Sequence, residues 1–228
     1  MISGMYKLID GSLVQKLRFD TISNNLANIN TNAFKKDIIS FREALSMKNS
    51  ATIDLSPGPL RHTGNELDMA LETPGFFKVQ TPKGTRYTRD GSFTLNAEKV
   101  LVTQNGDPVL GKNGPIIING SNVTVESDGT VVAANEPVDT LVVVDFREPR
   151  LLRKEGSSYY AFEGEKNGIV VPESINVQNG YIERSNVNPT VEMVKMVESL
   201  RVYESAQKAI QCMDEMNDKM VNQVGRLE

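Results

Sequence analysis

The sequence predicts an α+β protein in which two amphipathic helices at the chain ends flank an all-β central domain of many short strands. Apolar residues recur near both ends at gaps of three and four, the spacing of one face of a helix. Between these ends, residues 57–180 hold 14 of the 17 glycines and nine of the 10 prolines. The composition therefore predicts an N-terminal helix with an asparagine-rich segment (1–35), a connector (36–59), a β domain (60–184) and a C-terminal helix (185–228).

The C-terminal segment has the longest helical pattern. Asn188 is a good N-cap and Pro189 suits the first helical position, so we expect the helix to begin there. The spacing is that of a heptad seam with one three-residue slip between Tyr203 and Ala206, and Asn217 is the one polar residue in the series. Such a stripe predicts packing along another long helix. Its apolar members are Met193, Met196, Leu200, Tyr203, Ala206, Ile210, Met213, Met220, Val224 and Leu227.

The N-terminal segment shows a second helical pattern that continues loosely through Ile22 and Leu26. Gly11 lowers the stability of this helix by roughly 1 kcal/mol, so we expect it to be stable only when packed. Asparagines then cluster at positions 24, 25, 28, 30 and 32, which indicates an ordered helix end followed by a turn. The apolar positions that begin the pattern are Ile2, Met5, Ile9, Leu13 and Leu17.

The middle of the chain has the signals of short antiparallel strands. Runs rich in β-forming residues, such as Phe76–Gln80, Ile116–Ile118 and Leu141–Phe146, alternate with seven Asp-Gly or Asn-Gly dipeptides. Each dipeptide predicts a tight turn between strands, including a hairpin at Asp90-Gly91. We therefore expect an all-β domain of roughly ten or more short strands. The dipeptides begin at Asp90, Asn105, Asn113, Asn119, Asp128, Asn167 and Asn179.

Composition argues against several classes of function. The net charge of −4 and the absence of a long Lys/Arg run disfavour a nucleic-acid partner. One cysteine, Cys212, and one histidine, His62, leave no zinc or redox constellation, and no phosphate-binding glycine loop occurs. We expect Cys212 to be a small structural residue, His62 an exposed loop residue, and Asp68 and Arg89 structural. We predict no enzyme activity, no cofactor, no metal and no catalytic residue.

No apolar run is long enough to span a membrane, so we expect no membrane insertion. The first ten residues also lack the charged start and apolar stretch of a cleavable secretory signal. On composition alone, these observations predict a cytoplasmic protein.

Three blocks of sequence, in order, carry a resemblance to a known family. Ser23-Asn24-Asn25-Leu26-Ala27-Asn28 with Phe34-Lys35, then Gly75-Phe76-Phe77 with Tyr87-Thr88-Arg89, then Ser185-Asn186-Val187 with the following helix resemble bacterial flagellar rod and hook proteins. One departure is Ala33, where the family usually has glycine before the aromatic residue. If that position needs a positive φ angle, alanine there costs about 1 kcal/mol or more.

The resemblance implies a structural subunit that polymerises through its terminal helices. It is nearest to the proximal rod proteins, with the distal rod proteins as the alternative. The implied assembly interface consists of the apolar helix positions given above together with Asn24, Asn25, Leu26 and Asn28. The implied partners are copies of the chain, other rod subunits and the flagellar export apparatus. The implied location is the periplasmic rod of the basal body, reached without a cleaved signal.

Two hypotheses from other classes remain open at this point. The β domain could bind cell-wall carbohydrate, which an exposed aromatic platform would favour, although the chain has no tryptophan. A peptidoglycan hydrolase would instead need a cleft holding a carboxylate of raised pKa.

Overall fold

The computed structural model describes residues 2–39, 52–120, 123–156, 158–172 and 174–224. Its fold is α+β, as the sequence predicts, and the chain divides into two compact units. The helical unit comprises Met1–Ala27, Asp37–Asp54 and Asn188–Glu228, and the β unit comprises Asn28–Lys36 and Leu55–Val187.

The helical unit contains α1 (Ile2–Ala27), α2 (Pro189–Val224) and a pair of two-residue antiparallel strands, β1 (Asp37–Ile38) and β2 (Thr52–Ile53). The start of α2 agrees with the sequence prediction. The Asn188 Oδ1 accepts a hydrogen bond from the Val191 backbone N–H at 3.2 Å, and Pro189 is the first helical residue. This side chain satisfies one of the backbone donors that a helix N-terminus leaves without an internal partner.

The largest sheet of the β unit has six antiparallel strands in the order β15-β16-β6-β5-β14-β17. Both of its faces are buried around its central strands. Phe77 on β5 packs into the main core, whereas its neighbour Phe76 faces Phe146 and Tyr160, with ring centroids 5.5 and 5.2 Å away. The strands are β5 (Phe76–Thr81), β6 (Gly84–Thr88), β14 (Val143–Phe146), β15 (Leu152–Glu155), β16 (Tyr159–Phe162) and β17 (Ile169–Val170).

The other strands of the β unit form small antiparallel sheets, which are β11-β12-β13 and the pairs β3-β19, β4-β18, β7-β8 and β9-β10. Within the part of the chain that the structure describes, the strands from β3 to β19 agree with the prediction of many short strands. Their bounds are β3 (Leu60–His62), β4 (Met69–Leu71), β7 (Phe93–Leu95), β8 (Leu101–Thr103), β9 (Leu110–Gly111), β10 (Gly114–Pro115), β11 (Val123–Val125), β12 (Thr130–Ala133), β13 (Glu136–Thr140), β18 (Val177–Asn179) and β19 (Tyr181–Glu183).

One core of buried apolar side chains lies between several of these sheets. Its fully buried members come from segments far apart in sequence and include Met69, Leu71, Phe77, Val79, Phe93, Leu101, Val109, Ile116, Ile118, Val131, Leu141 and Val143. Ile116 and Ile118 belong to this core, but the predicted strand Ile116–Ile118 forms only an isolated bridge, between Ile117 and Val100. Burial and backbone hydrogen bonds to Lys99, Leu101 and Val109 therefore hold this apolar run without a regular strand.

The predicted hairpin at Asp90-Gly91 is wrong. Strand β6, which precedes it, pairs with β5 and β16, whereas β7 after it pairs with β8, so the chain passes from one sheet to another here. A Cβ at Gly91 would lie 1.7 Å from the Met69 carbonyl oxygen, so this glycine permits a close approach of two backbones. In contrast, Asn113-Gly114 and Asp128-Gly129 do lie where β9-β10 and β11-β12 turn back.

Candidate functional site

The two long helices of the helical unit pack along each other through a regular heptad seam. On α2, Glu192 and Ser199 are 3% and 5% exposed, and the half-buried residues continue the same line. Successive buried and half-buried residues are separated by gaps of 4-3-4-3-4-3. This is a regular heptad pattern, without the extra three-residue step between Tyr203 and Ala206 that the apolar residues alone predict. We call it the inner seam; its members are Glu192, Met196, Ser199, Tyr203, Ala206, Ile210 and Met213.

A buried polar contact holds the first turn of α2 near the end of α1. The Asn25 side chain, 1% exposed, accepts a hydrogen bond from the Asp37 N–H at 2.9 Å and donates to the Asp37 carbonyl at 3.0 Å. The same Nδ2 lies 3.5 Å from the Glu192 Oε2, and the Glu192 Oε1 accepts from the Lys195 Nζ at 2.7 Å. One asparagine therefore links α1, β1 and α2.

A second polar contact lies two turns along α2. The Ser199 Oγ is within hydrogen-bonding distance of the Gln15 backbone carbonyl at 3.1 Å and of the Gln15 Oε1 at 3.2 Å. On α1, the neighbouring Val14 is 2% exposed, while Leu13 is 41% exposed. Each of these buried residues, Glu192, Ser199 and Val14, lies next in sequence to an apolar residue that the structure leaves exposed.

The first half of α2 exposes an apolar surface. Met193, Val197 and Leu200, which we call the outer stripe, are 57%, 49% and 40% exposed and follow one another at gaps of four and three. Val191, Val194 and Val202 in the same stretch are 46–54% exposed. A group of large apolar side chains exposed together on a protein surface often marks an interaction site.

The structure separates the predicted interface residues into several groups. Met193 and Leu200 lie in the outer stripe and Leu13 is also exposed; Met196, Tyr203, Ala206, Ile210 and Met213 lie in the inner seam. Near the end of α1, Asn25 is buried, Asn24 is exposed, and Leu17, Leu26 and Asn28 are half-buried. The side chains of Ile2, Met5, Ile9, Met220 and Val224, and the whole of Leu227, lie outside the described residues.

The β unit contains a buried charge cluster that sequence reasoning missed. The Glu183 side chain is fully buried, and its Oε1 accepts from the Lys35 Nζ at 2.5 Å and from the Gly58 N–H at 2.7 Å. Its Oε2 accepts from the Arg89 Nε at 2.6 Å. Lys35 also donates to the Ser56 carbonyl at 2.8 Å. One carboxylate thus meets two buried cations and joins segments that are remote in sequence.

Arg89 extends this cluster into the backbone of the β unit. Its guanidinium donates to the carbonyls of Leu71 at 2.8 Å, Thr73 at 2.8 Å and Gly75 at 2.6 Å. Arginine suits this role because its planar group carries five N–H donors. The role of Arg89 is structural, as the sequence predicts, but its partner Glu183 lies 94 residues away and no local pattern identifies it.

Ala33 occupies the left-handed conformation that the sequence comparison with the family suggested. Its φ angle is +54°, it is 0% exposed, and its N–H donates to the Glu183 backbone carbonyl at 2.8 Å. The following Phe34 ring lies 4.1 Å from the Lys154 Nζ, which also donates to the Lys35 carbonyl. The turn therefore places Lys35 in the charge cluster, and the left-handed backbone at Ala33 is strained.

Substitutions at Ala33 should separate backbone strain from packing. We expect A33G to stay within about 1 kcal/mol of the parent free energy of unfolding, since relief of the positive φ offsets the loss of a buried methyl group. A33V should lose about 2–4 kcal/mol, because a β-branched side chain combines strain at this φ with overpacking. Urea unfolding followed by circular dichroism measures both. Equal losses for the two variants would contradict this account of the turn.

Comparison with known proteins finds two matching family models. A family model described as the flagellar hook protein FlgE/F/G D1 domain matches residues 70–133, and one described as the flagellar basal body rod FlgEFG protein C-terminal region matches residues 178–224. The chain is 31% identical to the flagellar basal-body rod protein FlgF of Caulobacter vibrioides, over 100% of both chains. The chain belongs to the flagellar basal-body rod protein family.

Other rod-family relatives are similarly distant. Identity is 30% to FlgF of Salmonella typhimurium, covering 94% of this chain and 95% of that protein. It is 31% to FlgG of Buchnera aphidicola, covering 96% of this chain and 99% of that protein. The C-terminal family model, which matches residues 178–224, contains both Glu183 and α2. The D1-domain model, which matches residues 70–133, contains Arg89.

Catalytic and carbohydrate-binding hypotheses find little support in the described β unit. A cavity of about 130 Å³ is lined by polar residues including Asp90 and Tyr159, and burial raises the pKa of both side chains. The Asp90 Oδ1 already accepts hydrogen bonds from the Ser92 N–H and hydroxyl, and the volume is below that of ordinary ligand sites. A more open cavity, of about 450 Å³, is lined by Gly64, Asn65, Glu66, Leu67, Leu95 and Val123, without an aromatic platform.

The remaining single residues are placed as follows. His62 is exposed, as expected, but it ends strand β3 instead of lying in a loop. Its ring packs edge-on against Tyr181, with centroids 4.9 Å apart. Cys212 is an exposed free thiol on α2. Among the described residues, no group of three or more potential ligands could hold a metal ion, and neither helix is apolar enough over a sufficient length to cross a membrane.

Proposed function

We propose that this chain is a structural subunit of the flagellar rod, of the proximal FlgF-like kind, and that it polymerises through its terminal helices. Its arms are residues 1–35 and 185–228 and its central domain is 60–184. The observation that carries the polymerisation proposal is the outer stripe, a row of exposed apolar side chains on a long helix whose other face already packs on α1. A distal FlgG-like subunit is the second candidate, since FlgG relatives reach the same 31% identity.

The outer stripe offers an apolar surface through which one subunit can contact the next. A filament grows by heterologous contacts, in which one surface of a subunit meets a different surface of the next. The inner seam is occupied within the chain, so the outer stripe remains for a helix of another subunit. Its gaps of four and three are those of a coiled-coil seam, which favours coiled-coil packing between subunits in the assembly. Apolar positions toward the ends of both helices would add to this interface.

Assembly into the rod implies which partners the chain has and where it acts. The partners are further copies of the chain, other rod subunits and the flagellar export apparatus, and the site of action is the periplasmic rod of the basal body. The relatives support this, since each is a flagellar basal-body rod protein. The subunit would reach the rod through that apparatus, without a cleaved signal and without insertion into a membrane.

Deletion of the gene tests this function. We expect the deletion strain to lose swimming and, in electron micrographs of its envelopes, to lack hooks and filaments. The full-length gene should restore both, and a gene ending at Val187, which removes α2, should not. Normal flagella in the deletion strain would contradict the rod assignment. Expression of Caulobacter vibrioides FlgF or Buchnera aphidicola FlgG in the same strain separates the two candidates, since we expect only FlgF to restore swimming.

A further inference from the structure

Two polar side chains of α2 are buried where this helix packs on α1, although apolar residues lie next to them. The inner seam begins with a carboxylate and a hydroxyl, Glu192 and Ser199, although Met193 and Leu200 lie next to them in sequence and are exposed. Adjacent residues are 100° apart around a helix. Turning α2 by less than one residue position would therefore bury Met193 and Leu200 against α1 in place of the polar pair. Over residues 192–203, burial of apolar area alone favours that competing orientation. Farther along α2, the same turn would replace Ala206 and Met213 by Gln207 and Asp214.

The polar partners on α1 explain why the competing orientation is not the one observed. Asn25 is held by both the N–H and the carbonyl of Asp37, so its remaining donor is aimed independently of α2, toward Glu192. The Gln15 backbone carbonyl is likewise fixed by its helix and meets the Ser199 hydroxyl. In the competing orientation, Asn25 would lose its buried acceptor on α2, and buried polar groups without partners are costly.

We propose that Glu192 and Ser199 are register-determining residues, whose hydrogen bonds to Asn25 and Gln15 turn the outer stripe away from α1 and keep it available. A single polar residue in a helical seam is known to select one register at some cost in stability. The inference goes beyond the proposed rod function, because it concerns packing within one chain and is tested without assembly. It also explains why the apolar series predicts a slip that the inner seam does not have.

Thiol labelling of the full-length monomer tests the proposal. In a C212S background, M193C places a single reporter cysteine in the outer stripe, and its rate of reaction with a maleimide measures its exposure. Adding E192A and S199A removes both hydrogen-bonding side chains and adds little apolar area to the inner seam. Leu200 and the reporter should then turn toward α1, so labelling should slow about ten-fold. Adding E192Q and S199T instead should leave the rate unchanged, since both replacements keep a hydrogen-bonding group at each position. Far-UV circular dichroism monitors the helix content of each chain.

A matched control adds the same side chains elsewhere. E198A and R201A introduce two alanines at exposed positions of α2 outside the inner seam, and the reporter should react at the parent rate. An unchanged or faster rate in the E192A/S199A chain would overturn the proposal, as would equal slowing in the E192Q/S199T or the E198A/R201A chain. Assembly through the outer stripe would itself cover the reporter, so labelling is done on chains that size-exclusion chromatography shows to be monomeric. The readings are then distinguishable from a failure of the rod function.

Discussion

Replacing Glu183 by glutamine should lower the free energy of unfolding of the β unit by about 3–5 kcal/mol, the usual effect of breaking a buried ion pair from one side. The substitution keeps the size of the side chain but removes the charge that faces Lys35 and Arg89, which are 1% and 5% exposed. Both buried cations then lose this carboxylate. Urea unfolding of the full chain, followed by far-UV circular dichroism, measures the loss.

An exposed ion pair provides the matched control for this substitution. The side chains of Arg153 and Glu163, 3.2 Å apart in the β unit, are 73% and 59% exposed. Because water screens such a pair, E163Q should change the free energy of unfolding by less than about 1 kcal/mol. If E183Q has an effect as small as that of E163Q, the charge cluster does not hold the β unit together.

Replacing Leu200 by aspartate should abolish swimming while leaving the monomer folded. Leu200 is 40% exposed, so a charge at this position can remain hydrated in the isolated chain, and the free energy of unfolding should change by about 0.5 kcal/mol or less. In an apolar contact between subunits, the same carboxylate would be buried without a partner, which opposes association strongly. Swimming in soft agar and electron microscopy of envelopes measure assembly, and circular dichroism measures folding.

The control for this prediction carries the same new charge at another place on α2. Ser205 is exposed and lies on the helix away from both the inner seam and the outer stripe, so S205D should retain swimming. Normal flagella in the L200D strain would show that the outer stripe is not an assembly surface. Loss of flagella in both strains would show instead that added negative charge anywhere on α2 is harmful.

Local features of the fold were predictable because neighbouring residues determine them. The Asn188-Pro189 pair places the start of α2 through a side-chain cap and a fixed φ angle, both properties of adjacent residues. The density of glycine, proline and β-forming residues similarly indicated the β unit. The family resemblance drew attention to Ala33, and the φ of +54° at this residue confirms that the position requires a left-handed backbone.

Features that depend on distant residues were not predictable in the same way. Glu183, one of 29 acidic residues, becomes the centre of a charge cluster only because folding brings Lys35 and Arg89 to it from 148 and 94 residues away. The dipeptide Asp90-Gly91 has the composition of a hairpin turn, but contact with the Met69 backbone is what requires its glycine. No spacing within a segment carries that information.

The sequence by itself determined that two amphipathic helices flank a β domain, because helical periodicity, capping residues and turn residues act over a few positions. Only the tertiary structure decided which face of α2 packs inward. The apolar series centred the stripe on Met193 and Leu200, whereas the structure buries Glu192 and Ser199. The physical reason is that hydrophobic burial has no direction, while the hydrogen bonds to Asn25 and Gln15 do. The orientation of a helix is therefore selected by partners that its own sequence does not contain.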